Sequence, residues 1–165
     1  MFEGGFRIVK AELNDWEPAM EMVWKTFLKF EAPEYGEEGV KNFLDFISGQ
    51  QLYQMFMLGE YPMWIALEEA DDISEKRKIV GVGSLRAGNH ISLLFVDEDY
   101  QRRGIGKMLV KTMQAHSATQ GKIKLTVNSS PYGEDFYHKL GFMDTEKKLR
   151  TDGIIYTPMV LLYEI

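Results

Sequence analysis

The chain has 165 residues, none of them cysteine, and carries 25 acidic against 19 basic side chains, a net charge of −6. A chain of that length is expected to form one domain over residues 1–165, with enough buried apolar surface to need no metal or disulfide for stability. The missing thiols exclude a cysteine nucleophile, a thiolate metal site and a covalent acyl-cysteine intermediate, and the acidic balance argues against a nucleic-acid partner.

The first residues, MFEGGFRIVKAELND, hold no long apolar run, so neither a leader peptide nor a membrane segment is read there and a cytoplasmic protein is expected. FRIVK (6–10) reads as a strand. Asn14 or Asp15 can cap a helix in which Trp16, Met20, Val23, Trp24 and Phe27 recur at helical spacing. A second helix starts near Glu37, with Val40, Phe43, Leu44 and Ile47 on one face and Gly49 as its stop. PMWIALEE (62–69) and KIVGVGSL (78–85) read as strands, separated by the charged loop 70–78. AGN (87–89) is turn chemistry, and HISLLFV (90–96) is apolar enough for a central strand.

A helix from about Gly104 puts Ile105, Met108, Leu109, Thr112, Met113 and His116 on one face and ends at Gly121. It joins HISLLFV to KIKLTV (122–127), a β-α-β unit whose strands are therefore expected to be parallel. Ser130 and Pro131 can start a short helix, EDFYHKL, closed by Gly141, and two strands follow at about 142–148 and 154–164. The expected fold class is a mixed α/β (α+β) domain: about six to seven strands, mostly antiparallel, flanked by about four helices.

The stretch QRRGIG (101–106) spends two glycines where a helix begins. A helix N-terminus offers unpaired N–H groups and the positive end of the macrodipole, and glycine lets backbone approach an anion closely. Arg102 and Arg103 add charge suited to phosphate. A plain tight turn would use the same residues. A mononucleotide loop would need a hydroxyl where Met108 stands, and a dinucleotide fold a third glycine where Leu109 stands.

LFVDEDYQRRGIGKMLV resembles the acyl-CoA loop of the GNAT superfamily of N-acetyltransferases, with its Gln/Arg-x-x-Gly-x-Gly/Ala pattern at Gln101, Arg102, Arg103, Gly104, Ile105 and Gly106. LTVNSSPYGEDFYHKLGF (125–142) resembles the motif that follows in that family. The likeness is sharp over about 79–142 and weakest over 30–65, where family members usually build the acceptor site.

The resemblance implies transfer of acetyl from acetyl-CoA to a primary amine by direct attack, without a metal, in a monomer or homodimer. The loop 101–106 and Lys107 would hold the pyrophosphate, and Phe136 packs beside the cofactor. The backbone of Leu94, Phe95 and Val96 would pair with the pantetheine arm where this strand bulges and splays from its parallel neighbour. Asn128 would bind the cofactor, or simply turn the strand end. Tyr137 would be the general acid for the CoA thiolate, a sensible donor for a phenol of pKa about 10. For the general base the matching position is His90, with Ser92 two residues on; Glu68 and Glu69 are alternatives. Glu31, Glu34, Glu37, Glu38 and Tyr35, beside Phe43, Tyr53, Phe56 and Tyr61, form an acidic and aromatic stretch suited to a cationic acceptor, whether a small amine, a polyamine, an aminoglycoside or a peptide N-terminus. The loop 154–157 would supply another wall, and the apolar last strand could join a neighbour's sheet. The alternative is a non-catalytic module of the same fold that binds or senses acyl-CoA.

Overall fold

In a computed structural model the described residues are 5–69 and 78–163, so the charged loop expected at 70–78 lies, Lys78 apart, outside them. Eight strands form one sheet: β1 (Phe6–Lys10), β2 (Met63–Glu68), β3 (Ile79–Arg86), β4 (His90–Val96), β5 (Lys124–Ser129), β6 (Met143–Asp144), β7 (Leu149–Thr151) and β8 (Ile154–Leu162). Their order is β1-β2-β3-β4-β5-β8-β6, with β7 also on β8. Every pairing is antiparallel except β4 with β5, which the intervening helix makes parallel.

Among the described residues five α-helices cover the sheet: α1 (Trp16–Phe30), α2 (Glu37–Ser48), α3 (Gln50–Met57), α4 (Ile105–Thr119) and α5 (Glu134–Lys139). One core layer lies under α1 to α3, built on Trp16, Val23 and Phe27 against Met63, Ile65, Val82, Leu93 and Phe95. The other lies under α4 and α5, where Ile105, Leu109 and Met113 meet Trp64, Val80, Ile91, Leu125 and Val127. A central sheet with helices on both faces hides both sides of β2 and β3, which explains their nearly unbroken burial.

Some local features differ from the sequence expectation. Gly49 does stop α2, but its extended backbone, φ −73° and ψ 149°, starts α3 at once instead of leading into a loop. Of the strand expected over about 142–148 only β6, Met143–Asp144, forms; the exposed segment 145–148 follows it, and β7, Leu149–Thr151, lies beyond the expected range. The last strand, β8, pairs with β7 over Ile154–Tyr156 and with β5 over Thr157–Leu162, and β6 joins it at Met159 and Val160. Asp15 stands at the start of α1, but its carboxylate accepts from the Glu12 N–H at 2.8 Å.

Candidate active site

The site starts from one extra residue in β4. Its register with β3 shifts between Ser84 and Leu85: Leu93 faces Ser84, Ile91 faces Leu85, and Ser92 is left over as a bulge. Its hydroxyl is held from below. The Tyr61 hydroxyl donates to Ser92 Oγ at 2.7 Å and accepts from Ser84 Oγ at 2.8 Å, with Tyr61 and Ser84 fully buried. Beyond the bulge β4 leaves β5. Their parallel pairing covers only His90↔Thr126 and Ile91↔Val127. The backbone of Leu94, Phe95 and Val96 then pairs with no strand but β3, and its other edge faces a gap.

That gap opens into a cavity of about 870 Å³ running from the end of α1 to the start of α4. Arg102 and Gly104 both have positive φ, 65° and 86°, which folds the chain back over the first turn of α4. Gly104 is required by this backbone. Gly106 is required by space: a methyl there would meet the Phe136 ring at 3.1 Å. Gln101 ties the loop down, donating from Nε2 to the Val96 carbonyl at 3.1 Å and accepting from the Tyr132 hydroxyl at 2.8 Å. Leu94, Phe95, Val96, Gln101, Arg102, Gly104, Ile105, Gly106, Lys107, Asn128, Phe136 and Tyr137 all line the cavity. Of the expected cofactor residues Arg103 alone does not, its guanidinium lying over the Tyr100 ring at 4.9 Å.

Tyr137 is 6 % exposed, wedged edge-on between Phe136 and Phe142. Its hydroxyl makes no hydrogen bond to a described residue. Burial, and secondly the charge of Glu31, push its pKa above the ordinary phenol value, so it keeps its proton.

The expected bases separate. His90 lines the cavity, with Nδ1 2.7 Å from Thr126 Oγ1 at the closed end of the β4–β5 pair. Burial, and then Arg86, hold its pKa below the usual histidine value. Glu68 lies outside the cavity, because β3 stands between β2 and β4. It accepts from the Tyr100 hydroxyl at 2.6 Å and lies 3.8 Å from Lys78. Glu69 is drawn away to Arg7 at 3.3 Å.

The acidic and aromatic stretch separates too. Glu31, Tyr35 and Phe43 line the cavity with Phe27, Phe30 and Phe46. Tyr53, Phe56 and Tyr61 pack around Trp16 instead, and Glu34, Glu37 and Glu38 face outward. The loop expected near 154–157 is instead the start of β8, and the β7–β8 turn lies just before it; Thr151, Asp152, Ile154 and Tyr156 form one wall of the cavity. Asn42 Nδ2 donates to the Asp152 carbonyl at 2.9 Å, and Gly39 and Gly153 touch so closely that neither tolerates a methyl.

Glu31 stands out among these residues. It caps the C-terminal end of α1, its N–H bonded to the Phe27 carbonyl. Its carboxylate accepts from the Tyr35 hydroxyl at 3.4 Å, and the Ser130 side chain lies near. Burial pushes its pKa up to about 7 against the favourable effect of those two hydroxyls. Spacing alone could not single it out among the stretch's carboxylates, because its setting depends on the β5–α5 turn. That turn is brought beside α1 by stacking of Tyr132 on Phe30 at 4.8 Å. Among the described residues there is no cluster of three potential metal ligands and no helix long and apolar enough to cross a membrane.

Comparison with known proteins agrees with this geometry. The acetyltransferase (GNAT) domain family matches residues 31–163. A glucosamine 6-phosphate N-acetyltransferase of Trypanosoma brucei brucei is 35% identical over 85 residues, 46% of this chain and 58% of that enzyme. The peptidyl-lysine N-acetyltransferase YjaB of Salmonella typhimurium is 33% identical over 107 residues, 64% of this chain and 68% of that protein. The PaiA N-acetyltransferase of Thermoplasma acidophilum, solved with coenzyme A, superposes with a TM-score of 0.74 at 20% identity, covering 96% of this chain and 99% of that one. The last likeness is one of fold.

Proposed function

Since the chain belongs to the acetyltransferase (GNAT) family, we propose that it transfers acetyl from acetyl-CoA to a small primary amine by direct attack. The observation that carries this reading is the gap between β4 and β5, which brings the loop 101–107, the unpaired edge of Leu94 to Val96 and the Tyr137 hydroxyl into one cavity. A cradle whose Gly106 a methyl would fill, with Arg102 and Lys107 beside it, suits a pyrophosphate. The coenzyme A bound by PaiA supports the same assignment.

In this reading acetyl-CoA supplies an activated acyl group as a thioester. The free main-chain edge of β4 holds the pantetheine arm and polarises the thioester carbonyl through a backbone N–H of Phe95 or Val96. Asn128, at the open end of β5, holds the same arm. Tyr137 gives its proton to the departing sulfur. The same burial that keeps it protonated makes it a weaker acid, and the charge that grows on sulfur as the C–S bond breaks offsets this. His90 holds the closed end of the cleft through Thr126. All these residues come from one chain, so monomer and homodimer alike carry a complete site, and a chain without cysteine suits the reducing cytoplasm.

The test is thermal melting with acetyl-CoA, coenzyme A, ATP and NAD in turn. A ligand at about a hundred times its dissociation constant adds about 2.7 kcal/mol. For a domain of this size that is a rise of roughly 5–11 °C. A rise with both CoA forms and none with ATP or NAD, followed by amine-dependent release of CoA thiol, is expected. No rise with acetyl-CoA refutes the assignment, and binding without thiol release under any amine reduces the protein to a binding module.

A further inference from the structure

We propose that Glu31 is the acceptor subsite's anionic group: it receives the ammonium of a small primary amine and takes its proton before attack on the thioester. This rests on the acetyltransferase reading above and adds to it the missing base. Glu31 occupies a costly position that no described cation relieves. It sits at the C-terminal end of α1, where the helix dipole disfavours a negative charge. Its carboxylate is crowded by protein and faces the cavity, yet no described cation pairs with it. The neighbouring Lys29 reaches Glu98 at 3.5 Å instead.

The groups that face Glu31 are neutral donors. Tyr35, from the turn after α1, hydrogen-bonds it and orients it, and the Ser130 hydroxyl, just after β5, lies near. Tyr137, from α5, lies close enough for the carboxylate charge to act on it. The two titrating groups of the proposed reaction therefore share one wall of one cavity. Burial pushes both pKa values upward, that of Tyr137 with help from the Glu31 charge and that of Glu31 to about 7, where a base works best near neutral pH. The remaining walls around Glu31, Phe27, Phe30, Phe43 and Phe46, fit the apolar stem of an amine rather than a second charge.

The proton accounting closes. One ammonium proton passes to the Glu31 carboxylate, and the freed nitrogen lone pair forms the C–N bond. The C–S bond breaks as sulfur takes the Tyr137 phenolic proton. The second nitrogen proton restores the phenol, leaving an amide with one N–H. Glu31 then releases its proton to water.

The experiment measures CoA thiol release from acetyl-CoA with n-butylamine and cadaverine as acceptors, in wild type and Glu31→Gln, across pH 5.5 to about 9.5. Wild-type kcat/KM for the amine should rise to a break near pH 7. Glu31→Gln should lose roughly 100-fold or more at neutral pH, show no such break, and climb about tenfold per pH unit as free amine accumulates. Its melting rise with acetyl-CoA should equal that of wild type, which confirms that the variant is folded with an intact cofactor site. A variant profile parallel to wild type overturns the proposal, and so does a break that survives Glu31→Gln but vanishes in His90→Asn. Failure of both amines to release thiol from wild type also overturns it, because the acceptor class is part of the proposal. An absent melting rise with acetyl-CoA identifies the prior reading as the one that failed.

Discussion

Glu31→Gln should make the protein more stable, and only above mildly acidic pH. The carboxyl's pKa is raised from 4.5 to about 7 by burial, so the folded state prefers it protonated. The unfolded chain ionises it near its ordinary value. The stabilising preference is therefore fully present below about pH 4.5 and is lost as pH rises through about 7. A difference of that size corresponds to a ceiling of about 3 kcal/mol. Glu31 is partly exposed in an open cavity, and water there screens its charge, so roughly 1–2 kcal/mol is the reasonable expectation. Glutamine keeps an oxygen for Tyr35 and never ionises. In thermal melts without ligand the variant should match wild type near pH 4.5 and exceed it by roughly 2–8 °C near pH 8.5. An equal offset at both pH values, or a variant less stable at the higher one, would mean that the Glu31 carboxylate is not disfavoured in the fold.

Tyr137→Phe keeps the ring that packs between Phe136 and Phe142, so its melting point and its rise with acetyl-CoA should hold while turnover falls roughly 10²–10⁴-fold; unchanged turnover at saturating acetyl-CoA removes it from the reaction. Gly106→Ala forces the Phe136 ring, 3.1 Å from the new methyl, to shift, so the melting rise with acetyl-CoA should shrink more than the melting point of the free protein. Tyr61→Phe strips the hydrogen-bond partner from Ser84 and Ser92 beneath the bulge, which should cost about 1–3 kcal/mol and raise the KM for acetyl-CoA. An unaltered melting point would show that the bulge holds without Tyr61.

Much of the cofactor side was legible in the sequence because its requirements are local. Gly104 and Gly106, the β-α-β unit and Tyr137 three residues into α5 all lie between residues 90 and 137, and each is marked by residue type at fixed spacing. The two glycines also divide the work in a way the sequence suggested only jointly: one supplies a positive φ, the other clearance for Phe136. The acceptor side depends on distant pairings. Glu68 reads as a neighbour of the site only if β2 adjoins β4, and β3 intervenes. Glu31 looks like any of the acidic residues around it until α1 is set against the β5–α5 turn. α3 escaped because a glycine after a helix is an ambiguous sign: in a left-handed backbone it ends a helix, and in the extended backbone of Gly49 it caps the next.

The bulge at Ser92 links the two halves. Without an extra residue in β4, the alternation that puts Ile91 over α4 would carry Leu93 and Phe95 to that same face. With it, Leu93 and Phe95 turn into the α1 layer, while Leu94 and Val96 pack toward α4. The strand can then serve both cores with apolar side chains and still leave β5, which frees its main-chain edge. Core packing and the substrate cleft therefore draw on the same residue, and Tyr61 fixes that residue from the core side. A substitution deep under the sheet should consequently be felt in acetyl-CoA binding before it is felt by Glu31, which hangs from α1 and does not depend on the register of β4.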